Sequence, residues 1–209
     1  MKNPLLLIVL LLGCGLFLLG VLLAFFLPGI SPDPLLSAFF ASTPYPGLIT
    51  PITILTHLNS PPAVTVYLLL TLGILHRRRL KRQALFALSA VAGTALLNWM
   101  LKTLLDRPRP PHRLVAIDSP AFPSWHSATS AALALTLWLL FVRPLPSGPA
   151  KSLWSAFLLL WPLLIGFSRL FLDVHWASDI LAGWGLGIAV TALSAFILLP
   201  QREFRRGAA

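Results

Sequence analysis

An all-α fold, an integral membrane bundle of six transmembrane helices forming a single domain over residues 1–209, is predicted by three features of the sequence. Apolar residues make up 57% of the 209 residues and charged residues only 11%, against the roughly 25% charged residues usual in soluble domains. Six nearly uncharged apolar runs recur along the chain, and a spanning helix needs roughly 20 such residues, range about 17 to 25. The basic residues gather in alternate loops, as the positive-inside bias of membrane proteins requires.

The first run, Leu5–Leu27, has too long an apolar core for a secretory signal and lacks a small-residue cleavage site, so it is expected to stay as an anchor. It carries Cys14, the only cysteine, which excludes an intrachain disulfide and is expected to be a buried thiol. The Pro-rich segment 28–62 reads as an outer loop, with Leu35, Leu36, Phe39 and Phe40 in the interface. The second run, Pro62–Leu75, is short unless it starts near Leu58, and Pro61-Pro62 fit best in a first helical turn. The remaining spans are expected at Ala84–Leu101, Ser127–Val142, Leu153–Phe167 and Trp176–Leu199. In the last, Gly183 and Gly187 recur at helical spacing and should let it pack closely on a neighbour.

A net charge of +10 would suggest a nucleic-acid partner in a soluble protein. Here no nucleic acid is expected, because Lys2, the run from His76 to Arg82, Arg143, Lys151, Arg202, Arg205 and Arg206 fall on alternate loops or termini. That side is assigned to the cytoplasm, with both termini. The remaining basic residues are Lys102, Arg107, Arg109, Arg113 and Arg169.

With the N-terminus inside, the outer ends of four spans carry reactive residues. Lys102 closes the third, Ser124 and His126 open the fourth, Ser168 and Arg169 close the fifth, and His175 and Asp179 open the sixth. Ionisable residues at membrane depth are costly and mark function. Ser124 is placed to cap its helix, aiming the amides of Trp125 and His126 at an anion. Lys102, Arg109 and Arg169 supply cationic donors for a tetrahedral phosphate. His175 and Asp179, four residues apart, share a helical face, so the carboxylate can hold one imidazole nitrogen while the other attacks phosphorus. His126 then protonates the leaving oxygen. No metal and no cofactor enter this chemistry, and nothing in it requires an oligomer; the partners are the bilayer and a lipid phosphate.

Arg107 and Arg113 are candidates for a second phosphate or for simple loop solvation. Asp106, Asp118 and Asp173 are expected to pair with them, and His57 and His112 to be ordinary loop or interfacial histidines.

The spellings Lys102-x6-Arg109-Pro110, Pro123-Ser124-x-His126 and Ser168-Arg169-x5-His175-x3-Asp179 resemble the three signature motifs of the type 2 phosphatidic acid phosphatase superfamily. The resemblance implies a phosphohistidine at His175, orientation by Asp179, leaving-group protonation by His126, and phosphate binding by Lys102, Arg109, Ser124 and Arg169. It implies hydrolysis of a lipid phosphate or pyrophosphate at the outer face: undecaprenyl pyrophosphate, phosphatidylglycerophosphate or phosphatidic acid, or alternatively lipid A phosphate. Trp125 stands where the second motif commonly has glycine, which keeps the backbone amide but narrows the space beside the phosphate, so Trp125 is either a headgroup-selecting residue or an interfacial anchor. A non-enzymatic lipid transporter would not need paired histidines with an orienting aspartate. The superfamily's soluble haloperoxidases are opposed by the wholly apolar plan of this chain.

Overall fold

The computed structural model describes residues 4–42 and 45–200. Within them the regular structure consists of eight α-helices in chain order. Helix α1 spans Pro4–Val21 and continues through a π-helical turn at Leu22–Phe26. Then come α2 (Asp33–Ser42), α3 (Pro46–His57), α4 (Pro61–Arg77), α5 (Lys81–Leu105), α6 (Trp125–Leu137, with a π-helical turn at Trp138–Val142), α7 (Pro149–Phe171) and α8 (Ala177–Leu198). Six stretches are long and apolar enough to cross a membrane, α3 and α4 together forming one of them, Pro46–Arg77.

The segment expected as an outer loop is instead largely helical, in α2 and α3. Proline, which suggests a loop, is helix-compatible in a first turn, and Pro46 and Pro61 both occupy that place. The 17 residues of α4 rise only about 25 Å, short of the roughly 30 Å hydrocarbon core. The preceding α3 extends the apolar stretch across the turn at 58–60. Leu35 and Phe39 are exposed, while Phe40 turns inward against Phe167 and Phe171 of α7.

Helix α8 is central, packed against α1, α5 and α6. Its small residues permit this: a Cβ added at Gly183 would lie 2.7 Å from the Ser124 carbonyl oxygen, and one at Gly187 would overlap the Ala128 carbonyl. On the other side, a Cβ at Gly13 of α1 would lie 2.6 Å from the Ala189 nitrogen. Because Gly13 faces α8, its neighbour Cys14 points away from the bundle and is exposed, contrary to the expected buried thiol. Leu6, Phe86, Leu139, Ala195 and Leu199 form an apolar cluster that joins the start of α1 to the end of α8.

The ends of α5 and α7 and the starts of α6 and α8 meet at one end of the bundle. Backbone hydrogen bonds fasten them: Ser124 N–H donates to the Asp179 carbonyl (3.0 Å), Ala121 to Arg107 (2.8 Å) and Leu114 to Leu172 (3.0 Å). The basic run 77–82 joins α4 to α5 at their other ends. Lys151 caps carbonyls of Arg143 and Leu145. Lys2, Arg202, Arg205 and Arg206 lie outside the described residues.

Candidate active site

His175 is buried at the head of α8, yet it does not sit on that helix. Trp176 is the N-cap and the helix begins at Ala177, so the expected pairing on one helical face is replaced by capping geometry. Asp179, at the third helical position, turns Oδ2 back to accept the Trp176 backbone N–H at 2.9 Å. The same oxygen meets His175 Nδ1 at 3.3 Å. Across the ring, Arg109 Nη1 donates to His175 Nε2 at 3.2 Å. A guanidinium can only donate, so Nε2 carries the lone pair and Nδ1 the proton directed to Asp179. Burial first, then the charges of Arg109, Lys102 and Arg169, hold the His175 imidazole well below its ordinary pKa. It is therefore neutral at pH 7.

The cations come from three elements. Lys102, in the last turn of α5, donates to the Pro120 carbonyl and to Ala121 (3.2 Å). Arg109 donates Nε to the Ser119 carbonyl (2.7 Å), Nη2 to Ser119 Oγ (3.1 Å) and to the Pro120 carbonyl (3.2 Å), and Nη1 to the Val174 carbonyl. With His175 included, its five N–H groups are all engaged. Burial pushes Arg109 down to about 10, with Asp179 opposing and Arg113 adding to the shift, so it stays charged at neutral pH. Arg169 is buried, donates once to Thr56 Oγ1 of α3 (2.9 Å), and keeps a buried Nε without a partner.

Ser124 is the N-cap of α6, its Oγ accepting from the Ser127 N–H (3.5 Å) and hydroxyl (3.1 Å). The first-turn amides of α6 have no partner within the helix and open on the same end of the bundle. His126 lies in the first turn of that helix, behind the Ser124 cap. Asn59, at the turn between α3 and α4, fixes the start of α6 by donating to the His126 carbonyl (3.1 Å) and Thr129 Oγ1 (2.9 Å). Trp125 is half-buried, with its indole Nε1 buried and unpartnered. All eight residues singled out in the sequence thus belong to the four helix ends and the loops between them that meet here. Among the described residues no group of three or more His, Cys, Asp or Glu is placed to hold a metal ion.

Two expectations change. Arg107 is not paired with Asp106, Asp118 or Asp173: it bridges Asp33 and Asp179, through Nη2 to Asp33 Oδ2 (2.8 Å) and Nη1 to Asp179 Oδ1. Arg113 donates to the Ile117 carbonyl (3.0 Å), and Asp173 accepts from Ser37 Oγ (3.2 Å), its carboxyl raised by burial with Ser37 and His112 opposing. His57 closes α3 beside Thr56, the partner of Arg169, and so lies on the same side of the bundle as the site, at a helix end. Asn59 and Thr56 have no counterpart in the sequence reading, and neither has the one charged residue it missed, Asp33. It is the only acidic residue before Asp106 in a chain holding six, which is the signal that it needed a specific place.

A family model described as PAP2 superfamily matches residues 83–203. Phosphatidylglycerophosphatase B of Bacillus subtilis (strain 168) is 35% identical over 95 residues, 44% of this chain, and the match spans about half, 47%, of that relative. Decaprenylphosphoryl-5-phosphoribose phosphatase of Mycobacterium tuberculosis is 29% identical over 153 residues, 71% of this chain and 79% of that protein. Among solved structures, the transmembrane PAP2-type phosphatidylglycerolphosphate phosphatase of B. subtilis superposes with TM-score 0.67 at 26% identity, covering 94% of this chain and 97% of that one. LpxE of Aquifex aeolicus shares the fold, with TM-score 0.61 at 24% identity over 78% of this chain and 93% of that one. The motifs, the six-span bundle and these likenesses agree, and the chain belongs to the PAP2 superfamily.

Proposed function

We propose that this protein is a membrane lipid phosphatase that works through a phosphohistidine at His175. The observation that carries the proposal is the neutral imidazole held between Asp179 on Nδ1 and Arg109 on Nε2. An arriving phosphate takes the Arg109 Nη1 donor and the partner-free donors of Arg169 and Lys102, which releases the Nε2 lone pair in line with phosphorus. Nε2 bonds to phosphorus as the bond from phosphorus to the lipid oxygen breaks, and His126, made an imidazolium by a proton taken from the arriving phosphate monoanion, gives that proton to the departing oxygen. The resulting phosphoimidazolium keeps its Nδ1–H on the Asp179 carboxylate. Water then attacks phosphorus, its proton returns to His126, and inorganic phosphate leaves with Nε2 restored.

The lipid tail is expected in the apolar grooves between the helices below this end. One, of about 640 Å³, is lined by Leu12, Leu16, Ala131, Trp138, Leu159 and Trp184. A second, of about 360 Å³, ends at Trp161, whose Nε1 reaches Asn59 Oδ1 at 3.3 Å and so adjoins the residue that fixes His126. Arg107 is occupied by two carboxylates, which leaves one cationic cradle and favours a phosphate monoester such as phosphatidylglycerophosphate or phosphatidic acid over undecaprenyl pyrophosphate. The basic loop 77–82 lies at the opposite end of the bundle from the site, and with the positive-inside bias this supports a site on the outer face of a bacterial plasma membrane with cytoplasmic termini.

The test is phosphate release by the purified protein, in chelator, over a panel of these lipids and lipid A phosphate, alongside His175→Ala and His126→Ala. Release from a monophosphate lipid that survives chelator and is lost in His175→Ala is expected. Loss on chelation, or release persisting in His175→Ala, rejects the mechanism.

A further inference from the structure

Asp33 lies outside all three motifs, on the short helix α2, yet it is buried to 3% exposure and accepts three donors. These are the Ser178 backbone N–H (2.9 Å), the Ser178 hydroxyl, and Arg107 Nη2 (2.8 Å). Arg107 in turn is clamped between the rings of Phe25 and Trp176, with its guanidinium carbon 5.7 and 5.5 Å from their centroids. Its other nitrogen, Nη1, donates to Asp179 Oδ1 and to Ser178 Oγ (2.8 Å). A continuous chain therefore runs from Asp33 through Arg107 and Ser178 to Asp179 and on to His175.

Resting on the phosphohistidine mechanism above, we propose that Asp33 is a positioning residue, which through Arg107 and Ser178 holds the Asp179 carboxylate in place and leaves it negative for the imidazolium formed at His175. The charge count explains why a second carboxylate is needed. Arg107 alone beside Asp179 would make a neutral pair with nothing left to balance a phosphorylated imidazolium. With Asp33, two buried carboxylates share one guanidinium, so Arg107 does not fully offset the Asp179 charge, which stays directed at the imidazolium formed at His175 while Arg109, Lys102 and Arg169 face the phosphate. The geometry agrees: Asp33 takes Nη2, so Nη1 is aimed at Oδ1 of Asp179, and Oδ2 stays turned to His175 and the Trp176 amide. A residue acting this way changes the chemical step and not the hold on substrate, because it touches neither the phosphate cradle nor the apolar grooves.

The experiment compares wild type with Asp33→Asn, Arg107→Lys and their double variant, measuring kcat, KM and melting temperature in detergent, with His175→Ala beside them. Asp33→Asn is isosteric and should lower kcat about 10-fold or more, by analogy with the loss of partners that orient metal-ligating histidines, with KM unchanged. The double variant should be no slower than the slower single one, since both residues act on Asp179 along one path. Should Asp33→Asn not fold, Ser178→Ala, which removes only the bridging hydroxyl, must give the same loss confined to kcat. A folded Asp33→Asn with full kcat, a change in KM alone, or losses that multiply in the double variant each overturn the proposal. Activity retained in His175→Ala would instead remove the phosphohistidine mechanism itself, so the two failures are told apart.

Discussion

At the scale of single residues, the site is defined by what each ring nitrogen of His175 faces. Its neutrality predicts the acid limb of kcat/KM. The ring's pKa lies well below its ordinary 6.5, so the proton is already gone at neutral pH and activity should hold through pH 6.5, falling only in more acid solution. Arg109→Gln removes one of the charges that lower it and should move that limb upward, read from a kcat/KM profile against pH. Asp179→Asn keeps the shape but removes the charge behind Nδ1, and by analogy with other orienting aspartates should cost roughly 10³–10⁴-fold in kcat, measured by single-turnover phosphate release. Trp125 is the residue where the chain's own spelling differs from the usual glycine. Its buried, unpartnered indole N–H makes Trp125→Gly a test of headgroup choice: relative rates across the lipid panel should change if that N–H meets the substrate.

At the scale of elements, the six apolar spans were legible because hydrocarbon thickness fixes their length and charge marks their ends. The placement of Lys102, Ser124 and Arg169 at helix termini followed from the same pattern. The helices α2 and α3 were not legible, since prolines at first-turn positions read the same way as prolines in a loop. Nor was the Arg107 bridge, because ion pairs between residues 74 positions apart, such as Arg107 and Asp33, leave no periodic trace. The relation of His175 to Asp179 was foreseen for the wrong reason: four-residue spacing brings them together at a cap as well as along a helix. The close seam between α6 and α8 yields a stability prediction. Gly183→Ala places its Cβ 2.7 Å from the Ser124 carbonyl and should cost about 1–3 kcal/mol through forced displacement, with activity reduced because Ser124 and Asp179 shift together. Gly15 meets nothing within 4 Å, so Gly15→Ala should leave the melting temperature the same or higher. Thermal unfolding in detergent separates the two.

At the scale of the whole molecule, the functional end and the basic end are opposite. This predicts a labelling pattern once Cys14, the single cysteine, is replaced by serine. In intact cells, Asp118→Cys should react with a membrane-impermeant maleimide, and Arg78→Cys should react only after the membrane is opened. The reverse pattern would put the site on the cytoplasmic face. The cluster of Leu6, Ala195 and Leu199 with Phe86 and Leu139 has a different consequence. It holds the two ends of the described chain side by side, far from the phosphate cradle and on the same side of the bundle. Circular permutation should therefore be tolerated: Pro4 and Pro200 joined by a short hydrophilic linker, with a new opening cut at 78–80, give a rewired order of spans that still inserts in the same orientation. A permuted enzyme of that kind would offer a reporter-fusion site without disturbing turnover.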